Sequence, residues 1–324
     1  MDKIERRQLR RAVKKDSSKV GFSLLLYAFI MFSVSVVWLI VQLEMATANV
    51  TDPAALERIE NEVIERFDQS GASLIAGVLA GLVVLFLLFI KRGTHKEIFR
   101  RSESITFGRF IAALCVFFGG QIVFNGFYML MEMGLNLIGY TAETSMESAT
   151  SGGTNFSMLL YAGIIGPIVE EIVYRGFAMR LLEKHGKVLA IVVSSMLFGV
   201  MHANLPQSIF AFMSGLVLGY VAMRYSLVWS IILHILNNLA LGEGMSWALS
   251  PLSENAQTII SCAVMSVFFI AGIAVLIIKR KEIGGYIKEN RTQKPKMRWT
   301  LTAAGMVLFF AVHIAMAVLM VEKL

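Results

Sequence analysis

The sequence predicts an all-α protein that spans a membrane as a bundle of about eight to nine transmembrane helices. Of its 324 residues, 56% are hydrophobic and only 16% are charged, which is not the composition of a soluble chain of this length. The apolar residues come in runs of roughly 20, the length that a helix needs to cross a hydrocarbon core of about 30 Å. The sequence therefore excludes a water-soluble globular fold.

Nine apolar runs, each bounded by charged or turn-forming residues, predict these helices, with the count uncertain by one. The stretch 105–140 is too long for one straight crossing and contains Gly119 and Gly120, so we expect a break or an additional interfacial helix there. Cys115 and Cys262 lie inside apolar runs, which indicates packing residues. The nine runs lie near residues 21–43, 71–90, 108–131, 157–179, 188–203, 207–225, 227–242, 257–278 and 299–321.

Lysine and arginine are concentrated in alternate loops, and this asymmetry predicts the orientation in the membrane. The basic arm 1–20 and the segments 91–109, 180–187, 224 and 279–298 hold all lysines and arginines except Arg58, Arg66, Arg175 and Lys323. The segments 46–70, 140–156 and 243–256 are acidic or neutral. We therefore expect the N-terminus in the cytoplasm. The expected location is a bacterial plasma membrane, with the lipid bilayer around the protein. The net charge of +7 follows from this pattern, so no nucleic-acid partner is expected.

One outer segment has a helical pattern of its own. Asp52 and Pro53 suit a helix start, and apolar residues follow at helical spacing, namely Leu56, Ile59, Val63 and Phe67. We expect an amphipathic surface helix that lies on the membrane or covers a neighbouring helix, with substrate gating as the alternative.

Ionisable and amide side chains gather inside the predicted spans, where such residues are costly and usually functional. Counting about 1.5 Å per residue from the nearest cytoplasmic basic residue places Glu170 and His234 roughly 15 Å deep. His202 and Asn238 lie roughly 21–22 Å deep by the same count. Three helices therefore bring polar groups to one layer, which predicts a common site. The cluster consists of Glu170, Glu171, Arg175, His202, His234 and Asn238.

Helical spacing predicts the partners within this cluster, because residues four apart share a face and adjacent residues are turned by about 100°. Glu171 should face Arg175, and His234 should face Asn238. An ion pair between Glu171 and Arg175 neutralises two charges and leaves Glu170 as the free carboxylate.

A free carboxylate and imidazoles in a cavity can support hydrolysis by an activated water. Glu170 can accept a proton from water, and a neutral imidazole can pass a proton to a leaving amine. Donors such as Asn238 and His234 can stabilise the oxyanion of a tetrahedral intermediate. Pro167 lacks an N–H and should loosen the turn before Glu170, which gives water room.

The same residues form three motifs in chain order, EExxxR from Glu170, FxxxH from Phe198 and HxxxN from His234. In these motifs the chain resembles the CPBP family, the CAAX proteases and bacteriocin-processing enzymes that are intramembrane glutamic endopeptidases. The resemblance covers roughly residues 108–245. It implies an all-helical bundle with the active site at mid-membrane depth, no cofactor, and a peptide or protein substrate at the membrane.

Residue by residue, the resemblance implies that Glu170 activates the attacking water and that His202 assists proton transfer. His234 and Asn238 would stabilise the oxyanion, and the remaining pair, Glu171 and Arg175, would order the site. Prenylated CaaX proteins and bacterial peptides or membrane proteins are both possible substrates for such a site. The implied organisation is a basic arm (1–20), N-terminal spans with the outer amphipathic segment (21–104), a catalytic core (105–245) and C-terminal spans (246–324).

Three alternatives stay open at this point. Glu170, His202 and His234 are all proper zinc ligands, so the same site could be zinc-dependent. A serine–histidine dyad of Ser214 and His234 fits less well, because Phe212 replaces the glycine that a rhomboid-like motif has. The third alternative is a non-enzymatic protein, either a proton-coupled transporter or an immunity or scaffold protein. The internal repeats that are common in transporters are not visible in this sequence. We expect His313 to be structural or interfacial, and the oligomeric state is not predicted.

Overall fold

In the computed structural model of the chain, the residues described are 2–89, 97–150 and 155–324, with only the backbone for 147–150. They form helices almost throughout, plus one short antiparallel pair of strands, β1 (Tyr140–Thr141) and β2 (Glu322–Lys323). The predicted all-α bundle is confirmed. Parts of two predicted loop segments lie outside the described residues. They are Lys91, Arg92 and Lys96 of the predicted cytoplasmic segment and residues 151–154 of the predicted outer segment.

All nine predicted apolar runs form helices, apart from Ile90 at the end of the second run, which lies outside the described residues. Among the described residues, seven helices (α1, α3, α4, α6, α8, α9 and α10) are long and apolar enough to cross a membrane, and α11 with α12 forms an eighth if this pair, bent by 61°, is one span. Helix α7 has 15 residues and is about 22 Å long, so it is shorter than the hydrocarbon core. The helices are α1 (Lys3–Thr47), α2 (Pro53–Gln69), α3 (Ala72–Phe89), α4 (Phe107–Leu137), α5 (Glu143–Thr150), α6 (Phe156–Glu183), α7 (Lys187–Met201), α8 (Leu205–Arg224), α9 (Leu227–Leu249), α10 (Glu254–Glu289), α11 (Lys294–Leu301) and α12 (Ala304–Leu319).

Two of the long helices change their winding along their length. Helix α6 contains π-helical segments at Tyr161–Ile165 and Ile172–Met179, and α9 contains one at Asn237–Gly244. Pro167 follows the first of these segments, in agreement with the predicted loosening before Glu170. Such widened turns are frequent at functional sites. They occur here on the two helices that carry most of the polar cluster.

The break expected near Gly119 does not exist, because α4 runs without interruption from Phe107 to Leu137. A Cβ atom on Gly119 would lie 2.8 Å from the carbonyl oxygen of Phe268 in α10. A Cβ atom on Gly272 of α10 would likewise lie 2.8 Å from the carbonyl oxygen of Cys115. Gly119 and Gly272 therefore let α4 and α10 pack backbone against backbone. The predicted break or additional interfacial helix was wrong because the glycine serves this contact.

The ends of the helices form two opposite faces. On one face, ion pairs join segments that the charge pattern predicts to be cytoplasmic, including Arg100 with Glu183 at 2.6 Å and Arg224 with both Glu103 and Glu282 at 3.2 Å. On the other face lie the β1–β2 pair and the connection between α1 and α2. The loops thus divide between two faces as predicted, and which face meets the cytoplasm stays a prediction.

Helix α2 is the amphipathic helix that the sequence predicts. The side chain of Asp52 caps its start by accepting a hydrogen bond from the amide of Ala55 at 3.2 Å. The predicted apolar stripe is half-buried, and α2 packs against α1. The charged residues of α2 are exposed. This arrangement supports the interpretation of α2 as a cover for a neighbouring helix.

Close helix contacts hold the bundle around its centre. A Cβ atom on Gly21 of α1 would lie only 2.3 Å from the carbonyl carbon of Gly305 at the start of α12, so these two backbones touch. On α8, a Cβ atom on Gly215 would lie 3.0 Å from the Cβ of Ser195 in α7. Small residues therefore allow the close approach of α1 to α12 and of α7 to α8.

Candidate active site

A cavity of about 1430 Å³ is lined by residues of helices α1 to α4, α6 to α9 and α12. Four of the predicted site residues line it, which confirms that three separate helices bring them to one place: Glu170, His202, His234 and Asn238. The other two members of the predicted cluster, Glu171 and Arg175, are fully buried behind the cavity wall. The cluster therefore has a part that meets the cavity and a part that supports it.

The two adjacent carboxylates point in different directions, as the 100° turn between neighbouring helical residues predicts. The side chain of Glu170 is 17% exposed and faces the cavity, whereas that of Glu171 is 0% exposed. Oε1 of Glu171 lies 3.0 Å from Nη1 of Arg175, so the predicted ion pair is confirmed. Glu170 is the carboxylate that remains accessible from the cavity.

Arg175 is neutralised rather than fully hydrogen-bonded. None of its side-chain nitrogens makes an aligned hydrogen bond within the described part of the chain, although the ion pair with Glu171 is close. Its guanidinium carbon lies 4.2 Å from the centre of the Phe198 ring, close enough for a cation–π contact. The carboxylate of Glu171 and the ring of Phe198 therefore both stabilise the completely buried charge of Arg175.

Glu171 has two further partners on α9. Ser230 donates a hydrogen bond from Oγ to Oε2 of Glu171 at 2.5 Å, and Nδ1 of His234 lies 3.2 Å from Oε1. The sequence analysis missed Ser230. Its position four residues before His234, on the same helix face, was the available signal.

His234 stands between the two carboxylates. While Nδ1 contacts Glu171, the other ring nitrogen, Nε2, lies 3.8 Å from Oε2 of Glu170 at the cavity surface. A hydrogen bond to one ring nitrogen fixes the orientation of the ring and determines what the other nitrogen can do. Glu171 therefore positions the Nε2 atom of His234 beside Glu170.

The predicted pairing of His234 with Asn238 is not what the structure shows. Because α9 becomes π-helical at Asn237, the face that a regular helix would give residue 238 is changed. Nδ2 of Asn238 instead donates to the carbonyl oxygen of Ala162 in α6 at 2.8 Å, and its Oδ1 accepts from Asn237 at 3.1 Å. An amide nitrogen has two hydrogens, so one remains available to the cavity.

His202 is held by the phenylalanine of its own motif. Nδ1 of His202 lies 2.8 Å from the carbonyl oxygen of Phe198, and the two rings meet edge to face at 5.0 Å. A backbone carbonyl only accepts, so Nδ1 must carry the hydrogen, and neutral His202 offers the lone pair of Nε2. Phe198 also contacts the ring of His234 at 5.8 Å. It therefore contacts both His202 and His234.

The structure adds residues that the sequence analysis did not assign to the site. Tyr161, Asn237 and His313 line the same cavity. His313 is therefore not interfacial, because it is buried inside the bundle. Among the described residues, no group of three His, Cys, Asp or Glu side chains is arranged to hold a metal ion.

Comparisons with known proteins find one family model and one relative that the chain resembles. Residues 152–240, which are 89 of the 324, match the family model described as Type II CAAX prenyl endopeptidase Rce1-like. A Bacillus subtilis (strain 168) protein named "Putative membrane peptidase YdiL" is 26% identical over 166 residues, which cover 51% of this chain and 67% of that protein. No solved structure gives a significant match.

The apolar helical bundle and these two matches define the class of the protein, an intramembrane protease. Within that class, residues 152–240 are similar to the CAAX prenyl endopeptidases, the group that the three motifs also resemble. The matched segment contains all three motifs and every residue of the predicted cluster.

Proposed function

We propose that this protein hydrolyses peptide bonds inside the membrane with a water molecule that Glu170 activates. The observation that carries the proposal is the separation of the two adjacent carboxylates. Glu170 lies at the cavity surface, with its Oε2 atom 3.8 Å from Nε2 of His234. Glu171 is fully buried in an ion pair with Arg175. A general base needs access to water, and only the first of these carboxylates has it.

The charge of the cluster supports this division of roles. Two carboxylates and one guanidinium sum to one negative charge, which is costly in a low-dielectric interior unless a proton or cation compensates it. His234 lies between both carboxylates and can hold that proton. Once protonated, its Nε2 becomes a hydrogen-bond donor at the cavity surface, and Glu170 remains ionised and able to accept a proton from water.

The proposed reaction then follows in two steps. Glu170 takes one proton from a water molecule, and the resulting hydroxide adds to the substrate carbonyl carbon. His202 assists by accepting a hydrogen bond from the same water at Nε2. The negative charge that develops on the carbonyl oxygen is stabilised by Nε2–H of His234 and by the free amide hydrogen of Asn238. The proton on Glu170 passes to the leaving amine as the carbon–nitrogen bond breaks. Glu171 and Arg175 order the site and take no part in these transfers.

The proposed substrates are prenylated CaaX-type proteins or bacterial peptides and membrane proteins. The name of the matched family supports prenylated CaaX-type substrates. The apolar cavity wall supports an apolar substrate segment in either class of substrate. This wall comes largely from two helices outside the matched segment, α1 and α12. Its apolar members include Leu25, Phe29, Phe32, Leu308, Val312 and Met316.

Mass spectrometry of reaction products tests the proposal. Wild-type protein and the Glu170→Gln variant, both in lipid nanodiscs, are incubated with a farnesylated CaaX peptide and with a peptide library. We expect products only with the wild type, because the amide keeps the shape of the carboxylate and cannot accept the proton. Equal cleavage by both proteins, or no cleavage of any peptide by the wild type, would contradict the proposal.

We also propose that the face joined by Arg100, Glu183 and Arg224 is cytoplasmic, on the basis of the positive-inside rule. Lys288 on that face is exposed and can be replaced by cysteine in a chain whose two native cysteines are changed to alanine. A membrane-impermeant thiol reagent should label this position only after the cells are opened. Labelling from outside intact cells would reverse the orientation.

A further inference from the structure

His313 is a buried histidine in the wall of the active-site cavity, on a helix outside the segment that matches the family. It lies nine residues into α12, about 14 Å along the helix axis, and is 3% exposed. Among the cavity-lining residues of α1, α3 and α12, only Ser35 is also polar. A buried imidazole in an otherwise apolar wall needs a physical explanation, since polar groups in a membrane bundle are costly unless they have partners.

The protein itself satisfies one of the two ring nitrogens. Nδ1 of His313 lies 2.8 Å from the carbonyl oxygen of Phe309, one turn earlier, and the two rings stack at 4.1 Å. Because the carbonyl can only accept, Nδ1 carries the hydrogen. The neutral ring therefore offers a lone pair at Nε2, for which the described residues provide no hydrogen-bond partner. This is the arrangement that His202 has with Phe198.

The substrate of an intramembrane protease can supply the missing donor. A peptide bond becomes accessible to water only where the helix is locally unwound, because the helix backbone and its side chains cover the carbonyl group. Unwinding frees backbone N–H groups from their partners four residues earlier, and inside a membrane each of these needs an acceptor. An acceptor in the same cavity as the proposed catalytic residues, in a largely apolar wall, matches that need.

We propose that Nε2 of His313 binds a backbone N–H of the unwound substrate segment next to the cleaved bond. This inference rests on the proposed function, since it takes the substrate to be a peptide held in the same cavity. His313 is then a substrate-binding residue contributed by the C-terminal helix. It stabilises the extended conformation of the substrate and transfers no proton.

Two substitutions separate this role from a purely structural one. Asparagine places its amide near the position of Nδ1, so His313→Asn keeps a donor for the carbonyl of Phe309 and loses the acceptor in the cavity. Glutamine reaches further, to the position of Nε2, so His313→Gln keeps an acceptor facing the cavity. A structural role of the ring predicts that asparagine is the better replacement. The proposed role predicts that glutamine is.

The experiment measures binding without cleavage. Fluorescence anisotropy of a fluorescein-labelled farnesylated CaaX peptide gives its Kd for three proteins in nanodiscs: Glu170→Gln, Glu170→Gln with His313→Asn, and Glu170→Gln with His313→Gln. We expect the asparagine variant to raise Kd about fivefold to tenfold, the effect of one hydrogen bond, and the glutamine variant to stay within about twofold. The melting temperatures of all three proteins are measured in the same nanodiscs.

Equal Kd values for the three proteins would overturn the inference, as would weaker binding by the glutamine variant alone or the absence of saturable binding. The proposed function is tested separately by wild-type hydrolysis. If hydrolysis does not depend on Glu170 but the asparagine variant still binds more weakly, the proposed function fails and the role of His313 stands. If hydrolysis depends on Glu170 but His313→Asn leaves Kd unchanged, the proposed function stands and the role of His313 fails.

Discussion

Helices α6 to α9 differ from the helices around them in where their polar residues lie and in what surrounds them. In α6 to α9, ionisable side chains such as Glu171, Arg175 and His234 are buried and held by side chains of neighbouring helices or of the same one. Helix α10, in contrast, has a single buried residue, Gly272, and exposes apolar side chains along its length. The predicted site residues therefore lie within one segment of the chain, whereas the flanking helices supply cavity wall and exposed apolar surface.

This comparison has a measurable consequence. Substitutions of polar residues in α6 to α9 should reduce the reaction rate or the stability of the fold by large factors. Substitutions in the wall supplied by α1 and α12 should change the affinity for substrate and leave the reaction rate largely intact.

Apart from the exchange of Glu170, the largest of these effects is expected for the cavity-facing residues His202, directly after α7, and Asn238 in α9. His202→Ala removes an acceptor for the attacking water, and Asn238→Ala removes a donor to the oxyanion. Each should lower kcat/KM about 10²–10³-fold, with product formation measured by mass spectrometry. The melting temperature serves as the control, because loss of fold would lower activity for another reason. Near wild-type activity in either variant would remove that residue from the proposed mechanism.

The same assay decides between the glutamate and the zinc mechanism. In the proposed mechanism the water is held by protein groups alone, so treatment with a strong chelator should leave kcat/KM unchanged. In a zinc site, activity would vanish with chelation and return on adding zinc. Stoichiometric zinc in the purified protein, with activity that follows the zinc content, would contradict our account.

An intermediate effect is expected at Ser230, which supports the site from behind. Ser230→Ala removes the hydrogen bond to Glu171 in a fully buried cluster and should lower the free energy of unfolding by about 1.5–3 kcal/mol. The matched control is Ser266→Ala in α10, whose hydroxyl bonds to the carbonyl of Cys262 in an exposed setting. Unfolding of both variants in the same detergent gives the comparison. Equal stability of the two variants would show that the buried hydrogen bond is not important.

The smallest effect is expected in the cavity wall. Both side chains are exposed, but Leu308 lines the cavity and its neighbour Val307 does not. Leu308→Ala should raise KM for an apolar peptide substrate about fivefold to tenfold with little change in kcat, because it removes apolar contact area. Val307→Ala should change neither constant. A large fall in kcat for Leu308→Ala would mean that the wall also shapes the catalytic geometry.

The sequence predicted the parts of this molecule that depend on local periodicity. Nine apolar runs became helices, and the turn of 100° between Glu170 and Glu171 separated the accessible carboxylate from the sealed one. The depth count correctly brought His202 and His234 to one cavity. These predictions succeeded because hydrophobic length and helix geometry are properties of a single segment.

Tertiary contacts set the limit of prediction from sequence. The pairing of His234 with Asn238 assumed a regular helix, whereas α9 becomes π-helical at Asn237. Gly119 and Gly120 in α4 were taken as a sign of a break, yet α4 is continuous, and Gly119 allows close contact with a helix about 150 residues further along the chain. His313 comes into the cavity only because α12 packs on α1 through Gly305, which no local pattern reveals.

The most direct test of the account exchanges each of the two adjacent carboxylates for its amide and measures activity and stability together. Glu170→Gln should abolish peptide cleavage and keep the wild-type melting temperature. Glu171→Gln leaves Arg175 as a buried unpaired charge and should lower the free energy of unfolding by about 3–5 kcal/mol. A stable, inactive Glu171→Gln variant beside a fully active Glu170→Gln variant would contradict the assignment of the two carboxylates and the mechanism built on it.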